Sequence, residues 1–371
     1  MASTCGLALL TTSVASTGAP TKEREPELPP AQVAFKVTPD SNGGPWQLRI
    51  ENVGEGPVRV PADPRLLILE LTPTPDAATA TKDKKATAAP RCILPADARP
   101  ATDDGSDLVI PPKRSWSATF DPLFYCFGAR ERAALVAGTA VKARFGWPAP
   151  APRAGAKPAA KAPSPPFAVT PVGASVGKVA PAKALEADAF LLTAPVIVAR
   201  PGGETAWGGD VSAKDKESDA APSGVTLSIP EALDAARGGE LATTVTLTNG
   251  TDRPITLLYR PDMLQFAVSG PGGSVSCGLP RSVAAPIREL FITVPVKGKT
   301  TTSVLLTTTC PAGTFDEPGI YRVTPRLDTT GASGRSIGLR TWDGLAAGKA
   351  PLLVRVRSPR NPALPPRPTL D

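Results

Sequence analysis

Apolar and polar residues alternate with a period of two along many short segments of the chain, which is the pattern of half-buried strands. Val33 to Val37 and Val58 to Val60 alternate in this way, and Trp46, Leu48 and Ile50 share one face of a further segment. Gly138 to Trp147 puts Val141, Ala143 and Phe145 on one face, and Leu241 to Thr248 and Pro351 to Arg357 repeat the alternation. Leu66 to Leu71 is apolar without interruption, which predicts a strand covered on both faces. Trp116 to Cys126 and Thr300 to Thr309 read as strands that lead into cysteines, and Phe167 to Val172 and Ala189 to Val198 are strand-like. Pro230 to Gly239 reads as a short helical turn or a polar loop. Short strands at close intervals, separated by clusters such as Pro39-Asp40-Ser41-Asn42-Gly43-Gly44, predict an all-β, immunoglobulin-like β-sandwich.

The pattern occurs twice. Asn52 to Leu71 overlays Asn249 to Val268 without a gap, so that Asn52, Pro57, Pro64 and Leu67 recur as Asn249, Pro254, Pro261 and Leu264. Cys92-Ile93-Leu94-Pro95 returns as Cys277-Gly278-Leu279-Pro280, and Pro111, Lys113 and Cys126 return with the same spacing as Pro295, Lys297 and Cys310. A repeat this long implies two tandem domains of one fold arising from an internal duplication. Composition places domain 1 at 31–199, with a disordered Pro/Ala-rich insertion at about 148–166, and domain 2 at 224–358. A signal-like or disordered N-terminus (1–30), a Gly-rich charged linker (200–223) and a disordered tail (359–371) complete the chain.

The repeated cysteines suggest one disulfide per copy, Cys92 with Cys126 and Cys277 with Cys310. Buried reduced thiols in a cytosolic protein are the alternative. No pair has C-x-x-C spacing and the chain contains no histidine, so a zinc site is not expected. Cys5 stands outside this scheme.

Composition narrows the chemistry. The 45 prolines among 371 residues are incompatible with long helices. The missing histidine removes the commonest general base and the usual catalytic metal ligand. Glu70, Asp121, Glu317 and Asp328 are the acidic residues nearest strands, and the sequence places none of them opposite another. Neither a catalytic residue nor a cofactor site is therefore assigned, and Asp103-Asp104-Gly105-Ser106-Asp107 reads as a polar turn rather than a calcium loop. The net charge of +7 is dispersed, with no basic run interleaved with aromatics, so nucleic acid is not the expected partner. No segment outside the N-terminus has the length and apolarity of a membrane span. The start, through Ala19, resembles the apolar and cleavage regions of a secretory signal, with Val14-Ala15-Ser16 as a candidate site, although no Lys or Arg precedes Lys22.

The segments Asn249 to Ile255, Phe266-Ala267-Val268, Lys297-Gly298-Lys299 and Pro318-Gly319-Ile320-Tyr321 resemble bacterial immunoglobulin-like sandwich domains. They are most similar to the Bacillus-type intracellular proteinase inhibitor (BsuPI-type) domain, over roughly residues 241–327 with a fainter echo in domain 1. The resemblance implies the fold; the cysteine pairs and the repeat depart from the inhibitor pattern, and no inhibitory residue is carried over. Together these readings lead to the expectation of a non-enzymatic, extracytoplasmic protein that binds an unidentified protein or envelope component. A protease inhibitor or other enzyme regulator is the alternative, and a carboxylate-based carbohydrate-active enzyme is the third reading.

Overall fold

The structure, a computed structural model, describes residues 31–40, 45–73, 89–99, 107–146, 169–172, 185–196, 224–239, 241–280, 287–348 and 350–358. The expected signal region with Cys5, the Pro/Ala-rich insertion, most of the acidic run at 103–107, the linker and the tail lie outside these residues.

The N-terminal half contains β1 (Val33–Thr38), β2 (Trp46–Asn52), β3 (Val58–Pro61), β4 (Leu67–Thr72), β5 (Arg91–Cys92), β6 (Asp107–Ile110), β7 (Ser115–Phe120), β8 (Ala140–Phe145), β9 (Thr170–Pro171), β10 (Leu185–Glu186) and β11 (Phe190–Leu191). The C-terminal half contains β12 (Val225–Ser228), β13 (Ala232–Arg237), β14 (Ala242–Asn249), β15 (Ile255–Leu258), β16 (Leu264–Gly270), β17 (Gly273–Gly278), β18 (Phe291–Val294), β19 (Lys299–Leu305), β20 (Gly319–Asp328), β21 (Leu345–Ala347) and β22 (Leu352–Ser358). Helix is confined to three short pieces among the described residues, α1 (Pro122–Tyr125), α2 (Ala129–Ala133) and α3 (Leu306–Thr309), beside a few 3-10 turns. The protein is all-β, as the alternation and the prolines require.

Both halves use one strand order. Sheet β1-β2-β7 corresponds to β12-β14-β19, the order β8-β4-β5 corresponds to β20-β16-β17, and the β3-β6 pair corresponds to β15-β18. Registers agree as well: Leu67 lies opposite Phe145 as Leu264 lies opposite Leu327, and Leu69 opposes Cys92 as Phe266 opposes Cys277. Each half closes on its own apolar core, the first around Trp46, Leu48, Ile50, Leu69 and Val141, the second around Leu247, Leu264, Phe266, Val323 and Val354. The alternating segments supply these residues because every second side chain turns inward.

The residues that recur along the sequence hold matching posts. Asn52 is fully buried, and its amide nitrogen donates to the carbonyls of Gly56 and Ile110, both at 2.9 Å, while its oxygen accepts from the Gly54 N–H. Asn249 donates in the same way to Arg253 O (2.9 Å) and Val294 O (3.1 Å), and accepts from the Thr251 N–H. Each asparagine thus satisfies backbone groups where two sheets part, a task a hydrophobic side chain cannot perform. Pro64 and Pro261 each open a 3-10 turn into the central strand. Lys113 and Lys297, in the two Pro-x-Lys turns, are the described non-glycine residues with positive φ, at 62° and 55°.

Two readings are corrected. Pro230 to Gly239 contains a strand, β13, which runs parallel to β22; tertiary pairing and a side-chain clamp described below override its weak β propensity. The segments ending in Cys126 and Cys310 stop as strands at Phe120 and Leu305 and continue as helical turns. In the first, Asp121 caps the turn by accepting from the Leu123 N–H at 2.8 Å and Pro122 takes the first helical position. In the second, the hydroxyls of Thr308 and Thr309 turn back onto Leu305 O, so the threonine-rich stretch bends despite its β propensity.

Candidate functional site

The structure joins Cys92 to Cys126 and Cys277 to Cys310, with sequence separations of 34 and 33. Cys92 stands on β5 and Cys277 on β17, whereas Cys126 and Cys310 cap α1 and α3, the turns that follow β7 and β19. Each disulfide therefore ties an edge strand of one sheet to the exit of the other, and all four cysteines are buried. Among the described residues no helix is long and apolar enough to cross a membrane.

Behind the first disulfide the chain builds a polar junction between the halves, carried by residues the sequence did not single out. Arg355 on β22 is 5% exposed, although alternation along Pro351 to Arg357 assigns it to an outer face. Its guanidinium forks onto the carboxylate of Asp234 on β13 (Nε to Oδ1, 3.0 Å) and donates from Nη1 to the carbonyl of Phe124 on α1 (3.0 Å). The same guanidinium lies 4.6 Å from the ring centre of Phe127, the residue after Cys126. Arg132 on α2 lies 5.4 Å from that ring, donates to Phe127 O, and pairs with Glu231 at 2.8 Å. Arg357 bridges Asp97 of the N-terminal half and Asp234, at 2.6 and 2.8 Å. Ile320 on β20 completes the contact by packing into the N-terminal core.

A buried guanidinium with a bidentate carboxylate, a carbonyl and an aromatic face has a donor bonded on each nitrogen and its charge compensated. The junction is thus a fitted joint, unlike a chance approach of two surface charges. Its residues come from segments far apart in the chain. The one sequence signal for it was the pair of arginines in a strand otherwise made of Leu and Val.

The candidate carboxylates are dispersed. Glu70 on β4 pairs with Arg91 (3.4 Å) and Arg144 (3.3 Å). Asp121 serves as a cap, and its burial raises its pKa above the ordinary value while the backbone N–H groups of Leu123 and Phe124 oppose that shift. Glu317 presents its carbonyl to the Tyr321 hydroxyl at 2.7 Å, and Asp328 accepts from the Thr330 N–H at 3.0 Å. The four engage separate partners, and the described residues contain no group of three or more potential metal-ligating side chains. A recess lined by Pro39, Asp40, Trp46, Leu192 and Val196 measures ≈ 80 Å³, below the ~300–1,000 Å³ usual for small-molecule sites.

Burial raises all three tyrosines. Tyr321, beside Glu317, is pushed up to about 12, and Tyr125 and Tyr259 rise further with their hydroxyls bonded to Pro64 O and Val245 O.

The fold and these sites define an immunoglobulin-like, all-β protein whose two sandwiches each carry a buried disulfide. No family model and no curated protein matches the sequence. Among solved structures, the chain is similar to a CARDB domain from Pyrococcus furiosus determined in complex with di-metal ions. The identity is 10%, the match covers 36% of this chain and 92% of that one, and the TM-score is 0.17. The resemblance to the BsuPI-type domain finds no support in these comparisons.

Proposed function

We propose that this chain is a non-enzymatic binding protein of an oxidising, extracytoplasmic compartment, where two disulfide-clamped sandwiches form one body that engages a protein or envelope component. The observation that carries this reading is the pair of buried disulfides, one in each half, because such bonds persist where thiols are not kept reduced. The apolar start of the chain agrees with export, and the histidine-free, dispersed carboxylates supply no reason to invoke catalysis. The polar junction supports a body held in one arrangement, as suits a protein that presents a surface.

The test is fractionation of the source cells with an antibody to this chain, followed by binding of the oxidised, purified protein to envelope preparations. The proposal expects the chain in the envelope or medium and a saturable interaction that reduction abolishes. Recovery in the cytoplasm with free thiols, or stoichiometric inhibition of a serine protease by the reduced protein, overturns it in favour of the regulator reading.

A further inference from the structure

Sheet β12-β14-β19 ends on β19, and among the described residues no further strand pairs with that edge. Leu306 donates its N–H to Leu241 O at 2.8 Å and Gly298 O accepts from the Asn249 N–H at 3.0 Å. In an antiparallel ladder, inward and outward backbone groups alternate by residue, so Thr300, Thr302 and Val304 bond to β14. Lys299, Thr301, Ser303 and Leu305 consequently aim their N–H and C=O groups away from the sheet. Among the described residues none of these groups meets a backbone partner; the Leu305 carbonyl is taken by the hydroxyls of Thr308 and Thr309. The side chains of the same four residues are exposed.

Sheet edges in soluble proteins are normally guarded by charge, brevity, proline or a covering segment. β1 carries Lys36, β13 carries Asp234 and Arg237, and β12 has only four residues. β7, which holds the place of β19 in the other half, has the outward-facing Ser115 buried. β19 carries one charge, Lys299, at its start; from Thr300 to Leu305 it contains no charge, proline or glycine, no strand covers it among the described residues, and its threonines favour strand pairing.

We propose that β19 is a self-association edge whose occupant is the β19 strand of a second copy, paired antiparallel about a two-fold axis at Thr302. This register sets Thr301 against Ser303, whose outward N–H and C=O groups then face one another, and Lys299 against Leu305, where the Leu305 N–H faces the Lys299 carbonyl. It also sends the two Lys299 ammonium groups to opposite ends of the pair, whereas parallel pairing sets like charges side by side. The two three-stranded sheets become one of six strands, with a hydroxyl-rich outer surface that includes Ser228, Thr246 and Thr301 in one row. An isologous contact of this kind uses both edges and stops at two copies. The inference concerns association of the chain with itself and stands apart from the binding function proposed above.

Sedimentation equilibrium of the full chain over a wide concentration range tests it, with the variants Thr301→Lys and Ser303→Pro. Ser303→Pro removes an outward N–H and leaves the bonds to β14 in place, and Thr301→Lys brings like charges within diagonal reach across the two-fold. The expected result is a reversible monomer–dimer equilibrium for the parent chain and monomer alone for both variants, with thermal melting showing that they remain folded. A parent chain that stays monomeric throughout the range, or a dimer that survives both substitutions, overturns the proposal. Should Ser303→Pro fail to fold, the exposed Thr301→Lys change decides the matter alone.

Discussion

Replacing Phe127 by alanine probes the junction at its most enclosed point. The ring is 5% exposed and lies within reach of the guanidiniums of Arg355 at 4.6 Å and Arg132 at 5.4 Å. Phenylalanine-to-alanine changes in packed sites cost about 3–5 kcal/mol. Each cation–π contact contributes ~0.5–2 kcal/mol of interaction that the methyl group cannot supply. Arg355 keeps Asp234 and the Phe124 carbonyl in the variant, so no uncompensated buried charge is created and the lower end, about 3 kcal/mol, is the appropriate figure. Each half retains its own apolar core, and the loss falls on the coupling between them. Differential scanning calorimetry is the assay: the parent chain unfolds in one cooperative transition and Phe127→Ala unfolds in two. A variant that melts in one transition at the parental temperature refutes the argument that this contact joins the sandwiches energetically.

Three further outcomes follow from the same geometry. Loop lengths of 34 and 33 residues give each disulfide about 4 kcal/mol of chain-entropy stabilisation, and the Cys92→Ala/Cys126→Ala pair loses more than the Cys277→Ala/Cys310→Ala pair because it also frees the turn that carries Phe127; denaturant melts of both pairs measure the difference. Asn52→Ala strands the carbonyls of Gly56 and Ile110, while the Gly54 N–H keeps the Gln32 carbonyl, a loss of about 2–4 kcal/mol in the same melts, whereas the exposed Thr119 tolerates alanine. Ultraviolet titration of the folded chain shows no phenol ionising near 10, because burial raises all three; for Tyr321 the associated stability is intact below 10 and is lost as the pH climbs through about 12.

Much of the scaffold was legible in the chain because strand periodicity is a local signal. Trp46, Leu48 and Ile50, and again Val141, Ala143 and Phe145, are buried as their alternation implies. The recurring asparagines and the Pro-x-Lys turns were visible as matches, although their tasks, capping backbone groups and adopting positive φ, appear only in three dimensions. What was missed depends on long-range partners. β13 exists because β22 lies beside it, and Arg355 is buried because Asp234 and the α1 turn cover it from distant parts of the chain. The helical turns before Cys126 and Cys310 were hidden by threonine and aromatic residues that favour strands, and a proline or a hydroxyl bonded to the backbone outweighed that propensity.

The central claim is that both sandwiches are oxidised in the living source. Non-reducing peptide mapping by mass spectrometry, on protein taken from source cells with thiols blocked at lysis, addresses it directly. The account predicts peptides linking Cys92 to Cys126 and Cys277 to Cys310, recovered from the envelope or secreted fraction. Blocked, unlinked cysteines at all four positions in a cytoplasmic fraction contradict it.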